Sequence, residues 1–165
     1  MANYDIVFED NSVKIIAAIE DAVDAFLLEA GAELESQVIR NSRADTGQTR
    51  SKWAAKLDKG NKQIFVGNPL ENAVWEEFGT GEYAVNGDGG TPYWVFVAGS
   101  GKKKGSGGHK VYTLKEAKRV VAILRKKGLE AYYTKGKRGT RAFEKAKTTV
   151  KPKINKMAKE AFKNV

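Results

Sequence analysis

From Val13 to about Arg40 the apolar residues fall at Ile15/Ile16, Ile19, Ala22/Val23, Phe26/Leu27, Ala30, Leu34 and Val38. That spacing is one stripe of a helix, and Glu20, Asp21, Asp24, Glu29, Glu33 and Glu35 load its other faces. The predicted helix is roughly 40 Å long at about 1.5 Å per residue, which outruns the core of a domain this size, so part of it is expected to meet another chain. Asp10-Asn11-Ser12 supplies its caps, and Tyr4–Phe8 ahead of it reads as a short strand. After a break at Asn41–Asp45, the pattern changes to strands at Trp53–Leu57 and Gln63–Val66, joined by the turn Lys59–Lys62.

The stretch Asn68–Gly81 (NPLENAVWEEFGTG) is the pivot of the chain. It predicts a short helix opened by an Asn68 cap, Pro69 at the first helical position and Glu71 reaching back, and stopped by Gly79-Thr80-Gly81. Glu82–Thr91 reads as a loop, Tyr93–Val97 as an aromatic strand, and 99–112 as a flexible Gly/Lys loop. Thr113-Leu-Lys-Glu116 is a capping box ahead of the stripe Leu114, Ala117, Val120/Val121 and Leu124; Gly128 closes that helix and Leu129–Thr134 follows as a strand. The helix–strand unit 113–134 looks like an insertion. After the turn Lys135–Gly139, Thr140 is expected to cap a final helix with Phe143, Ala146, Val150, Ile154, Met157 and Ala161 on one face, kinked or divided by Pro152. No internal repeat is visible.

Composition narrows this picture. At 165 residues with 41% hydrophobic and 30% charged residues, the chain reads as one soluble domain spanning 1–165. No run of apolar residues is long enough to span a membrane, and MANYDIVFED lacks the basic and apolar regions of a secretory signal, so folding in the cytoplasm is expected. Zero cysteines exclude disulfides, thiolate catalysis and zinc–thiolate sites, and the single His109 argues against a histidine metal site. No cofactor is expected. The net charge of +9 is divided: residues 1–35 sum to −8, 36–101 to zero and 102–165 to +17. An acidic front and a basic back can attract each other within one subunit or between neighbouring copies, or can simply be solvated helix faces.

Candidate catalytic chemistry is thin. Asp45-Thr46-Gly47 has the signature of aspartic proteases, which place the Asp between apolar strands and need a second such carboxylate. Here the flanks are polar and no second copy exists, so a helix or turn cap is the better reading. Glu76 and Glu77 point about 100° apart on a helix and do not form an acid/base pair. Gly99–His109 fits neither the Walker pattern nor G-x-G-x-x-G, although Lys102, Lys103 and Lys104 could contact a phosphate backbone nonspecifically.

The order of long acidic helix, Asp45-Thr46-Gly47, strand hairpin, Glu77-Phe78-Gly79-Thr80, glycine-rich loop and Arg141-Ala142-Phe143 resembles the tail-completion (head–tail joining, minor tail component) family of lambdoid long-tailed phages. In that family an Arg-Pro-Phe-type segment opens the last helix; here Ala142 stands in the proline's place. The resemblance covers roughly residues 10–98 and 136–163. It implies an α+β fold, with the long N-terminal helix and the C-terminal helix packed on a small antiparallel sheet and the helix–strand unit inserted. It further implies a non-enzymatic virion protein of the tail or neck, joining tail to head connector as a homo-oligomeric ring, expected to be six-fold. Its partners would be tail tube or terminator and connector proteins, with nonspecific DNA contact in the lumen and no membrane. The alternative is a nucleic-acid-binding module using the basic C-terminal half, with Tyr132, Tyr133 and Trp94 as candidate stacking residues.

Overall fold

The computed structural model describes residues 8–44, 47–85, 92–98 and 110–163. It is a mixed helix and strand protein with a long N-terminal helix and small antiparallel sheets, as the α+β expectation requires. Two compact units account for the described residues. The first joins the chain up to Pro69 with Ala142 onward; the second is Leu70–Arg141.

The first unit is built on α1 (Ser12–Asn41). Its start is held by Asp10, whose carboxylate accepts from the Ser12 amide at 2.9 Å and from the Ser12 hydroxyl. The hairpin β1 (Ala54–Asp58) and β2 (Gln63–Gly67) pairs Ala54 with Gly67 through to Asp58 with Gln63. Its loop is set by Asp58, which accepts from the Asn61 amide at 3.1 Å and the Asn61 side chain at 2.8 Å, while Lys62 takes a positive φ of 49°. Alternation turns Ala55, Leu57, Ile64 and Val66 to the partly covered face and leaves Phe65 exposed. The hairpin packs on α1 at Gly31, where an added Cβ would lie 2.5 Å from Ile64 Cγ1 and 3.4 Å from the Ala55 Cβ. A mid-helix glycine costs about 1 kcal/mol relative to alanine, so close approach of the hairpin is what its presence accommodates. Glu35 then accepts from the Ala55 amide at 2.8 Å, and Asp24 binds Lys62 at 3.0 Å.

The last helical segment is divided, as Pro152 predicts: α4 (Ala142–Val150), a tight 3-10 turn at Lys151–Lys153, then α5 (Ile154–Ala161). Both helices pack on α1. They run antiparallel to it, since the Asn41 side chain donates to the Ala142 carbonyl at 3.3 Å and Lys153 pairs with Glu33 at 2.6 Å. The core is Val38, Ala142 and Ala146, with Leu34, Trp53 and Phe143 against it. Small alanines at i and i+4 on α4 let the two helices approach closely. Trp53 stacks on Phe143 with ring centroids 5.9 Å apart and donates its indole N–H to Ser42 Oγ at 3.0 Å.

In the second unit α2 (Glu71–Phe78) is followed by the two-residue strand β3 (Thr80–Gly81). Then come β4 (Trp94–Val97), α3 (Leu114–Lys126), β5 (Ala131–Thr134) and the two-residue β6 (Gly136–Lys137). β4 and β5 pair antiparallel, Trp94 with Thr134 and Val97 with Ala131, and Tyr93 bridges to Tyr112. α3 packs on these strands through buried Ala117 and Val121, beside buried Ala131. The Thr113–Glu116 capping box forms as expected, with the Thr113 amide donating to Glu116 at 2.8 Å, and Gly128 ends the helix region at φ 76°.

Three sequence expectations are corrected. Asn68 does not cap α2, which begins later behind Leu70; the Asn68 side-chain Nδ2 instead donates to the Thr49 carbonyl at 2.7 Å. Thr140 does not cap the last helix: its amide and its hydroxyl donate to the Glu76 carbonyl, at 2.6 and 2.8 Å. Phe8 lies outside any strand, and the rest of the Tyr4–Phe8 strand falls outside the described residues.

Candidate functional site

The sequence motifs separate between the two units. Asp45, Thr46 and Lys102–Lys104 lie outside the described residues. Gly47, in the first unit, takes φ +70° at the start of a turn whose carbonyl accepts from the Ser51 amide at 2.9 Å, and nothing lies within 4 Å of where its Cβ would be. Phe143 is partly buried, packed against the core and stacked on Trp53. Glu77, Phe78, Gly79 and Thr80 close α2 in the second unit, and Arg141 is the last residue of that unit, at an unusual positive φ of 53°.

What the structure brings together there is a backbone clasp. β3 pairs antiparallel with β6, Thr80 opposite Lys137 and Gly81 opposite Gly136. Gly79 ends α2 at φ 79°, ψ 179°, and a Cβ on it would stand 2.8 Å from Gly139 N, Lys137 O and Tyr83 O. A Cβ on Gly81 would run into the Lys135 carbonyl, one on Gly136 into that of Thr80, and one on Gly139 into that of Glu77. Four glycines thus permit two strands of backbone to touch where any side chain would hold them apart. Thr140 completes the clasp by giving the Glu76 carbonyl, one of the orphan acceptors at the end of α2, two donors. The Lys137 amide also donates to Thr80 Oγ1 at 3.1 Å. The Glu-Phe-Gly-Thr motif and the turn Lys135–Gly139 are therefore one structural element.

The clasp carries charge on its rim. Lys135 pairs with Glu82 at 2.7 Å, and the hydrogen bond to that carboxylate raises the Lys135 pKa. The Tyr83 ring has the Lys135 ammonium at 5.6 Å and the Arg138 guanidinium at 5.3 Å from its centroid. On α2 itself Val74, Trp75 and Phe78 are exposed, at i, i+1 and i+4, and the Val85 N–H donates a hydrogen bond to the Phe78 carbonyl. Elsewhere in this unit Tyr132 and Tyr133 are about two-fifths exposed; Tyr132 stacks on Phe96 and under Arg125, so it belongs to a local packing cluster. Among the described residues no group of His, Asp or Glu is placed to hold a metal ion, and no helix is long and apolar enough to cross a membrane.

The elements from α1 to the end of α2 match a known family model. The family model described as "Bacteriophage HK97-gp10, putative tail-component" matches from residue 7 to residue 79. Residues 7–79 are HK97-gp10-like. This segment runs through α1, the hairpin and α2 to the glycine that ends it, and it agrees with the resemblance drawn from the Asp-Thr-Gly and Glu-Phe-Gly-Thr motifs. It supports a structural component of a phage tail. Comparisons with curated proteins and with solved structures returned no match. The HK97-gp10-like segment ends at Gly79, so both strands of the clasp, β3 and β6, and the final helices lie beyond it.

Proposed function

We propose that this chain is a non-enzymatic structural protein of the virion tail or neck, which completes the tail and joins it to the head connector as a ring. It would reside in the host cytoplasm before assembly and in the virion after it. The observation that carries the reading is the HK97-gp10-like match from residue 7 to 79, which spans the long helix, hairpin and motif helix in order. The split charge, acidic in front and basic behind, favours head-to-tail contacts between neighbouring copies, and such contacts close into rings when the rotation permits. A stop codon placed early in the gene of the parent phage, with lysates viewed by negative-stain electron microscopy, tests it. Full heads and separate tails that the purified protein joins are expected; intact infectious particles would refute the joining role.

A second reading, nucleic-acid binding, is favoured by the +17 charge of residues 102–165 and by the two cations over Tyr83. It requires DNA affinity that falls steeply with salt, with a slope lowered by Lys102–Lys104→Ala.

A further inference from the structure

We propose that the first three turns of α1 are a docking strip for a second copy of this chain, and that they seat on the neighbour's α5. The proposal rests on the ring reading above and names the surfaces that would build it.

The apolar stripe of α1 continues beyond the part of the helix that the first unit covers. Residues 12–21 are all exposed, among them Val13 (79%), Ile15 (55%), Ile16 (57%) and Ile19 (42%), whereas from Ala22 onward the same stripe is largely covered. Phe8, just ahead of the helix, is 92% exposed. Several β-branched residues held in water on a helix gain nothing from propensity, and together they form a contiguous apolar patch of the kind that marks an interaction surface.

Charge selects the occupant. Residues 8–21 carry Glu9, Asp10, Glu20 and Asp21 against Lys14, and Lys14 lies 3.9 Å from Glu9. Glu20 and Asp21 form no salt bridge among the described residues. Two copies of this strip face to face would set acid against acid, so a symmetric α1–α1 dimer is disfavoured. The segment 151–163 has the opposite character: Lys151, Lys156, Lys159 and Lys163 are exposed, and Ile154 and Phe162 keep 38% and 39% of their surface in solvent. An acidic apolar strip on one copy and a basic apolar helix on the next form a heterologous pair, the contact type that generates rings.

The chain's lack of cysteine makes the test clean. Within one subunit Lys153 lies at Glu33, so antiparallel packing carries Lys159 to the region of residue 27, about 16 Å along the helix from position 16. The variant Ile16→Cys with Lys159→Cys, treated with a bifunctional maleimide whose arm is shorter than that separation, therefore links only between subunits. The full-length protein would be treated both free at high concentration and in assembled tails. A ladder of multimers is expected from the double variant, with neither single variant linking. Adding Ile15→Gln and Ile19→Gln should lower the ladder at least tenfold without moving the melting temperature, because both side chains are already exposed. Glu20→Lys with Asp21→Lys should also lower it, and Lys156→Glu in the same chain should restore part of the loss. Dimers from Ile16→Cys alone, or adducts to a different virion protein, would overturn the proposal. So would normal joining by the double variant in the stop-codon complementation with no ladder, and that result would leave the ring reading standing. If the stop codon had no effect on particles, the ring reading itself would fall.

Discussion

Replacing Gly79 by alanine separates two reasons for a glycine at this position: backbone conformation and lack of room. At φ 79°, ψ 179° the residue sits where side-chain-bearing residues are strained by about 1–3 kcal/mol. The new methyl would also lie 2.8 Å from Gly139 N, Lys137 O and Tyr83 O, all backbone atoms with no rotamer through which to yield. Crowding of that kind adds about 1–3 kcal/mol. A total of about 2–6 kcal/mol is expected, which in a chain of this length lowers the melting temperature by roughly 4–24 °C. Two neighbours calibrate the value. Gly47→Ala meets nothing within 4 Å but keeps a φ of +70°, so only the conformational cost of about 1–2 kcal/mol applies. Gly67→Ala meets nothing either and has an ordinary φ, so it should be neutral or slightly stabilising. Calorimetry ranks the three, and hydrogen exchange at the Thr80 and Lys137 amides locates the damage in the β3–β6 pair. Equal shifts for Gly79→Ala and Gly47→Ala would refute the claim that backbone contact fixes the motif.

Three further outcomes follow from the first unit and α3. Gly31→Ala crowds Ile64, its Cβ lying 2.5 Å from Ile64 Cγ1, at a cost of about 1–3 kcal/mol, against which the helix gains about 1 kcal/mol, so a net loss of up to about 2 kcal/mol is expected; in urea titrations Ile64→Ala should remove most of the crowding penalty, and simple additivity would contradict the contact. Thr113→Ala breaks the capping box of α3 and should cost about 1 kcal/mol, with faster exchange confined to the first turn of that helix. The Glu33 carboxyl is held below its usual pKa, first by the Lys153 hydrogen bond and then by Gln37. Its contribution is therefore complete at neutral pH and is lost as the pH falls through about 4 and below. Lys153→Gln should flatten that acid limb of the stability profile, and an unchanged limb would show that the pair carries none of it.

Where a pattern is local, the sequence exposed it. The stripe of α1, the box Thr113–Glu116 and the break at Pro152 each depend on residues within four positions of one another, and each appears within a residue or two of its expected place. The misreadings have a common physical cause. Asn68 and Thr140 both have the chemistry of helix caps, but each is recruited by a distant carbonyl, that of Thr49 or of Glu76. Strands of two residues, such as β3 and β6, carry no periodicity at all; they exist because glycines 55 positions apart allow backbone contact, which only the folded chain reveals. The fold class and the resemblance of residues 7–79 to the HK97-gp10-like family could thus be read, while the clasp that gives the Glu-Phe-Gly-Thr motif its structural role could not.

The interrupted order of the first unit also sets a timetable for synthesis. Val38 is buried against Ala142 and Ala146, and the Asn41–Ala142 bond joins residues 101 positions apart. A ribosome adds roughly 5–20 residues per second, so the hairpin side of α1 can be covered early while its α4 side waits about 5–20 s for the partner helix to emerge. Throughout that interval the nascent protein displays an apolar helix face without its partner. Translation from clustered ribosomes would place several such faces side by side, so that quality control and the first encounter between copies compete for the same seconds.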